Sequence, residues 1–249
     1  LDAFLDQNTV TFYVDTSGEP LFKRGHRTGS VEAPLRENLA AGILRLAGWT
    51  TNDVLLDPMC GSGTIPLEAA LMARQIAPGI SRNFGFERLL VHDAHRWGQL
   101  REAARVKQVA QVPAAIYASD RDPAMVKIAQ RMFEGARVAN DVRLKQIDIL
   151  DLEAPTDTGV MVINPPYGVR LSRPDDLASF YPKLGDWLKQ RFAGWRAYVL
   201  TGDARLPKLI GLTPSKRIPL FNGALECRLY EFVIVQGGAR RRLTRPNQA

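Results

Sequence analysis

The chain has 249 residues, of which 45% are hydrophobic and 24% are charged. These values exclude a disordered or fibrous chain, and the length suits one sizeable α/β core with a small appendage. The formal net charge of +7 favours a polyanionic partner. The two cysteines exclude a disulfide framework, and no metal site is expected. Without a signal peptide or a membrane-spanning apolar run in the sequence, we expect a cytoplasmic protein with no membrane partner.

The first 50 residues predict a strand, a turn and a helix. Residues 9–15 alternate between apolar and polar side chains, as a half-buried strand does. Ser17 and Gly18 predict the turn. Apolar side chains recur at helical spacing over residues 31–49, which predicts a helix before the first buried strand.

Residues 54–64 resemble the first turn of a nucleotide-binding fold. An apolar strand is predicted to end at Asp57, and a turn with Gly61 and Gly63 leads into a predicted helix over residues 65–73. The glycines allow backbone to approach a ligand closely. Asp57 would repel a pyrophosphate but suits a ligand with a positive amino group, such as the methionine moiety of S-adenosylmethionine. A purely structural glycine turn is the alternative.

Residues 75–112 are predicted to be an insertion between that helix and the second strand. The arginines of the insertion either line a path for RNA or form an ordinary solvated helical face. These arginines are Arg82, Arg88, Arg96, Arg101 and Arg105.

The second and third predicted strands of this unit also lead to carboxylates. Residues 115–120 end in Asp120, and Asp122 is predicted to cap the helix that follows. Asp120 is thereby placed to accept hydrogen bonds from ribose hydroxyls. Residues 142–148 end in Asp148, which either accepts a hydrogen bond from an adenine amino group or lies in a surface loop.

An Asn-Pro-Pro-Tyr sequence at residues 164–167 directly follows the apolar run at 159–163, which predicts a buried strand. Two prolines cannot continue a sheet, so the chain must leave the strand in a fixed turn at its carboxyl end. Open α/β sheets bind ligands at that end.

This turn suits methylation of an exocyclic amino group on a planar base. The Asn164 side-chain oxygen and the Pro165 carbonyl could accept the two N–H groups of the amine. Tyr167 could stack on the base, a contact worth roughly 1 to 3 kcal/mol. No general base of shifted pKa is needed. For the isolated motif, a structural turn is the alternative.

The last third of the chain completes an α/β pattern. Apolar residues between 177 and 188 have helical spacing, which favours core packing over base stacking. Residues 196–201 predict a further strand, and residues 216–221 and 227–236 predict a hairpin with an Asn-Gly turn. We therefore predict an α/β, Rossmann-like fold with a seven-stranded, mostly parallel sheet that ends in an antiparallel hairpin, and a short N-terminal β appendage.

The polar strand ends together resemble the class I S-adenosylmethionine-dependent methyltransferases that methylate amino groups. Residues 57–64, 76–79 with 84–87, 164–168 and 220–229 narrow the resemblance to the RlmL-type enzymes, over nearly the whole chain. Members of that family methylate guanine N2 in 23S ribosomal RNA. The resemblance implies S-adenosyl-L-methionine as cofactor and ribosomal RNA, or a pre-ribosomal particle, as partner.

The predicted site has a catalytic part and a cofactor-binding part. The catalytic residues are expected to be Asn164, Pro165, Pro166 and Tyr167. The cofactor-binding residues are expected to be Asp57, Pro58, Cys60, Gly61, Gly63, Thr64, Asp120, Arg121, Asp148, Ile149 and Asn164. A catalytic role for the Cys60 thiol is disfavoured, because no suitably placed histidine accompanies it.

The resemblance also predicts the domain organisation. Residues 1–30 are expected to be a remnant or linker of a THUMP-containing region, and residues 31–237 the methyltransferase domain. Residues 238–249 are either a basic tail or a linker toward a second methyltransferase domain, which many relatives carry.

Three other functions remain open from the sequence. An adenine-N6 methyltransferase of DNA or RNA would use the same Asn-Pro-Pro-Tyr chemistry. A transfer-RNA guanine-N2 methyltransferase with a THUMP domain is the second. The third is a basic RNA-binding module with a vestigial cofactor site.

Overall fold

Two sheets form the β structure of the computed structural model, which describes residues 1–25, 35–165 and 174–235. The small sheet is an antiparallel hairpin of β1 (Asp2–Asp6) and β2 (Thr9–Tyr13). The strands of the large sheet are β3 (Leu55–Asp57), β4 (Ile116–Asp120), β5 (Val142–Gln146), β6 (Val160–Ile163), β7 (Arg196–Thr201), β8 (Lys216–Asn222) and β9 (Leu225–Val233). Within the described residues, the order across this sheet is β5-β4-β3-β6-β7-β9-β8.

The large sheet confirms the predicted architecture. Strands β5, β4, β3, β6 and β7 are parallel, whereas β9 runs antiparallel to both β7 and β8. The parallel strands are near-continuous apolar runs because helices cover both faces; all four residues of β6 are buried. Gly223, with φ of 67°, closes the β8–β9 turn in the left-handed conformation that a tight hairpin requires.

Helices flank this sheet. They are α1 (Glu37–Leu46), α2 (Thr64–Ala73), α3 (Ala94–Val106), α4 (Pro123–Gly135), α5 (Pro174–Arg191) and the short α6 (Leu206–Leu209). The predicted helix over residues 31–49 is shorter in the structure, where Arg36 is its N-cap; residues 26–34 lie outside the described part. Asp122 caps α4 as predicted, accepting a hydrogen bond from the Ala124 backbone N–H at 2.8 Å. Among the described residues, we find no helix whose length and apolar character would let it span a membrane.

The core lies between the sheet and its helices. Helix α2 is almost wholly buried, and α1 packs against it. On α5, Tyr181, Trp187 and Leu188 are buried, so their helical spacing reflects core packing as predicted. The buried Trp187 ring donates its N–H to the Leu152 carbonyl at 3.0 Å, which satisfies the polar atom of this large side chain.

The insertion, residues 75–112, packs against a segment of residues 15–25, which we call the strap. Arg82 donates hydrogen bonds to strap carbonyls, including those of Pro20 at 3.0 Å and Ser17 at 3.2 Å. Arg101 donates to the Ile80 carbonyl at 2.9 Å. These two arginines are therefore structural, and neither of the two alternatives predicted for the insertion describes them.

A glycine on α5 gives a test of core packing. A Cβ added to Gly185 would lie 1.7 Å from the Ile210 carbonyl oxygen, whereas one added to Gly98 on α3 would meet nothing within 4 Å. We expect Gly185→Ala to lower the free energy of unfolding by about 1–3 kcal/mol or more through overpacking. The matched Gly98→Ala change should raise it by up to about 1 kcal/mol, because alanine favours the helix. Urea denaturation of both variants measures this, and equal effects would contradict the packing.

Candidate active site

Four predicted polar positions meet at the carboxyl edge of the large sheet. Asp57 ends β3, Asp120 ends β4, Asp148 follows β5 and Asn164 follows β6. These four strands are neighbours in the sheet, and the chain order reverses between β3 and β6. In open α/β sheets, the crevice at such a reversal is where ligands bind.

The glycine turn after β3 uses its two glycines for different purposes. Gly63 has φ of 85°, and a Cβ there would lie only 2.7 Å from the Phe133 ring of α4. Gly61 has φ of 53°, and a Cβ there would meet no atom within 4 Å. Gly63 therefore lets the turn pack tightly against α4, while Gly61 leaves open space at the sheet edge. Of the other predicted residues here, Pro58 and Thr64 are buried.

Asp120 connects this turn to β4. Its Oδ2 accepts a hydrogen bond from the Gly61 N–H at 2.8 Å, and its Oδ1 accepts one from the Asp122 N–H at 2.9 Å. A carboxylate can accept about four hydrogen bonds, so Asp120 keeps capacity for hydroxyl donors. The backbone contacts fix the orientation of the carboxylate without using all of its lone pairs.

Asp57 is a buried carboxyl, with 1% of its surface exposed. Burial raises its pKa well above the ordinary value of 3.8, and the nearby Asp120 charge adds to the rise. A hydrogen bond from the Met59 N–H at 3.2 Å opposes the rise but does not cancel it. The site therefore carries a carboxylate that favours a proton or a positively charged partner.

This burial predicts a pH-dependent stability cost. Because the pKa of Asp57 is higher in the folded state, stability is lost as the pH rises above 3.8 toward the raised value. Asp57→Asn cannot ionise, so we expect this variant to be more stable than the parent at neutral pH. The difference should shrink toward pH 3.8. Denaturant titrations across this pH range test the expectation, and a variant that is less stable at neutral pH would contradict it.

Cys60 lies in the same turn and is buried. Burial, together with the nearby Asp57 and Asp120 charges, raises the pKa of its thiol well above 9.0. The reactive form of cysteine is the thiolate. Cys60 is therefore a packing residue in character and a poor nucleophile.

Asp148 lies at the surface beside Asp120. Its Oδ1 accepts a hydrogen bond from the Leu150 N–H at 3.0 Å and caps a short 3₁₀ helix, Ile149–Asp151, whose Ile149 is buried. Arg121 Nη1 lies 4.0 Å from Asp148 Oδ2 and is largely exposed. The Ile147 N–H donates to the Asp120 carbonyl at 3.1 Å, which holds this loop against the end of β4.

Asn164 and Pro165 stand at the end of β6. Asn164 is half-buried, and its Oδ1 is buried without a hydrogen-bond partner among the described residues. Such an acceptor is costly unless something donates to it. Pro165 is buried. The predicted catalytic residues Pro166 and Tyr167 lie outside the described residues.

The sequence reasoning missed an ion pair beneath this site. Arg24 of the strap donates from Nε to Glu68 Oε1 at 3.2 Å and from Nη2 to Oε2 at 3.4 Å. Both side chains are largely buried, and Glu68 lies on α2, one turn after the glycine turn. A lone carboxylate in an otherwise apolar helix was the available signal, since a buried acid needs a partner.

Comparison with known proteins gives a consistent family. The model described as "RMKL-like, methyltransferase domain" matches residues 24–231. A ribosomal RNA large subunit methyltransferase K/L from Syntrophotalea carbinolica is 43% identical over 251 residues, which cover 95% of this chain and 35% of that protein. The chain thus spans about a third of the length of this curated relative.

Two similar structures were also found. A putative methyltransferase, SMU.472, solved with S-adenosylhomocysteine (SAH), has a TM-score of 0.83 and 34% identity, covering 90% of this chain and 58% of that one. A Listeria monocytogenes protein described as a predicted N6-adenine-specific DNA methylase has a TM-score of 0.81 and 32% identity, covering 88% of this chain and 57% of that one. Because the family model extends over most of its residues, this chain belongs to the RMKL-like methyltransferase domain family.

Proposed function

We propose that this chain is an S-adenosylmethionine-dependent methyltransferase domain that modifies the exocyclic N2 of a guanine in 23S ribosomal RNA. The buried, unpartnered Oδ1 of Asn164 at the sheet's topological switch carries the proposal. A group that donates two N–H bonds in a plane is the ligand that such an acceptor, with a proline carbonyl after it, would hold. The name of the curated relative supports ribosomal RNA as substrate, and that RNA would be met in the cytoplasm.

The residues of the sheet edge fit the proposed cofactor. The free space at Gly61, the remaining acceptor capacity of Asp120 and the buried Asp57 carboxyl suit a backbone contact, ribose hydroxyls and an ammonium group respectively. Asp148 would accept from the adenine amino group, with Arg121 and Ile149 beside it. Pro58, Cys60, Gly63 and Thr64 would shape the turn. When bound, S-adenosylmethionine supplies a methyl group on a positively charged sulfur.

The protein's own contribution is positioning. Asn164 and Pro165 would hold the two N–H groups, and Tyr167 would clamp the ring, so that the amine lone pair points along one fixed line. The target base must leave its stack to reach this site, or be unpaired already. No residue is required to take the proton before the transfer.

Adenine N6 is the second candidate for the methylated atom. An acceptor pair at residues 164 and 165 holds the amino group of either base, and the Listeria relative's description names adenine. Groups outside the Asn-Pro-Pro-Tyr turn must therefore set the base preference. A transfer-RNA substrate and a vestigial site are tested by the same assay.

The decisive experiment is tritiated methyl transfer to large-subunit ribosomal RNA from a strain that lacks the modification, followed by nucleoside identification. Label in N2-methylguanosine supports the proposal, whereas N6-methyladenosine or label only in transfer RNA overturns it. Calorimetry with S-adenosylmethionine runs in parallel, and absence of binding would favour the vestigial module.

The full-length protein is part of this proposal. The curated relative is about three times as long as the matched region, so further domains, including a THUMP domain and a second methyltransferase domain, could assist delivery of the RNA. The transfer assay should therefore include the full-length protein beside the 249-residue chain.

A further inference from the structure

The β8–β9 turn brings together three exposed features at the carboxyl edge of the sheet. Phe221 is 64% exposed and Leu225 is 45% exposed. The guanidinium of Arg36 lies against the turn, since a Cβ added to Gly223 would be 3.3 Å from its Nη2. Arg36 also stacks on the Phe22 ring of the strap, with its Cζ 4.9 Å from the ring centroid. We call Arg36, Phe221 and Arg228 the rim.

The register of the strands places the rim at the same edge as Asn164. Ile163 pairs with Val199, and two residues further along β7, Thr201 pairs with Arg228. The β8–β9 turn lies beyond that level, and three strand spacings, or about 14 Å, separate β6 from β8. The rim therefore lies on the β7 side of the catalytic turn, away from the strands that carry Asp57, Asp120 and Asp148.

The chemistry of the rim suits a single-stranded polyanion. Arg36 is exposed, and its described contacts are with an aromatic ring and a glycine rather than with a carboxylate. Arg228 is half-exposed and pairs with the equally exposed Glu226 at 3.1 Å. An exposed phenylalanine between arginines is the arrangement on which unpaired bases stack while their phosphates are neutralised.

We propose that the rim binds the unpaired nucleotides that flank the methylated base, with Phe221 stacking on a base and Arg36 and Arg228 contacting phosphates. The inference rests on the proposed RNA methyltransferase function and adds the surface that receives the strand. It also explains the motif at residues 220–229, for which the catalytic scheme has no use. The stack of Arg36 on Phe22 orients the guanidinium before RNA arrives.

The test compares variants at Phe221 in two measurements: binding of a fluorescein-labelled single-stranded RNA, and KM for the RNA in methyl transfer. Phe221→Ala and Phe221→Leu should each weaken RNA binding by about 5- to 150-fold, whereas Phe221→Tyr should retain it. Arg36→Gln should reduce the salt dependence of binding by about 0.7 per charge lost, and Arg36→Lys should keep it. S-adenosylmethionine binding should stay unchanged in all of them.

Phe12→Ala is the matched control, because Phe12 is a comparably exposed phenylalanine on the separate β1–β2 hairpin. Normal RNA binding by Phe221→Leu, or an equal loss in Phe12→Ala, would overturn the proposal. So would a loss in Phe221→Leu that is matched by a loss of cofactor binding, since that indicates a structural role. If the parent transfers no methyl group, the proposed function fails, and the binding measurement still decides the rim.

Discussion

Replacing Asn164 by alanine is expected to leave S-adenosylmethionine binding intact and to lower methyl transfer by about 10²–10³-fold or more. The reason is that Oδ1 is preorganised: it is buried and, among the described residues, unpartnered. It therefore gains a donor only when the amine arrives. Calorimetry measures the first part of this expectation, and single-turnover transfer of a tritiated methyl group measures the second.

The control for Asn164 is Asn140→Ala. Asn140 is exposed in a short 3₁₀ helix before β5, away from the sheet edge, and the same side chain is removed there. Full turnover by Asn140→Ala with loss in Asn164→Ala supports the role of the acceptor. Normal turnover in Asn164→Ala would refute the catalytic assignment, and loss of cofactor affinity would move Asn164 from the substrate to the cofactor.

Replacing Arg24 by alanine is expected to lower the free energy of unfolding by about 3–5 kcal/mol at neutral pH. The change leaves Glu68, which is 3% exposed, without its cation. Burial already raises the pKa of Glu68, while the Arg24 contacts lower it and Glu37 raises it further. Without Arg24, the loss should grow as the pH rises above 4.5 and diminish below it, because the folded state then holds a protonated carboxyl.

Two comparisons isolate the buried pair. Lys23→Ala removes a cation one residue away whose partner, Glu19, is fully solvated, so stability should hardly change. The double variant Arg24→Met, Glu68→Leu should recover most of the lost stability, since apolar side chains replace a buried pair at little cost. Denaturant unfolding at several pH values measures all three. A small, pH-independent effect of Arg24→Ala would show that the pair is solvated.

The sheet could be predicted because its strands are short apolar runs with sharp ends. The predicted strand over residues 196–201 coincides with β7, and the Asn-Gly turn correctly joined β8 to β9. The first strand, β1, was not predicted, since Asp-Ala-Phe-Leu-Asp lacks β-branched residues and is too short to show alternation. Local pattern thus located the strands that the core buries.

Contacts between distant segments could not be predicted in this way. Arg24 and Glu68 are 44 residues apart, and the hydrogen bond from Gly61 to Asp120 spans 59. Each residue looked ordinary in its own segment, and only the folded chain brings the partners together. The identity of the strand-end acids was visible in sequence, but the orphaned acceptor on Asn164 and the burial of Asp57 required the packing around them.

The way Arg82 holds the strap has a consequence for protein engineering. Its guanidinium contacts the carbonyls of Ser17, Glu19, Pro20 and Lys23, so it recognises the path of the backbone and not the side chains. The side chains of this segment should therefore tolerate substitution, whereas Arg82→Lys would lose the planar fork that spans several carbonyls. A chimaera that exchanges the N-terminal part of such a protein should place its junction before Asp15. A later junction would remove Arg24 and leave the Glu68 carboxylate without its cation.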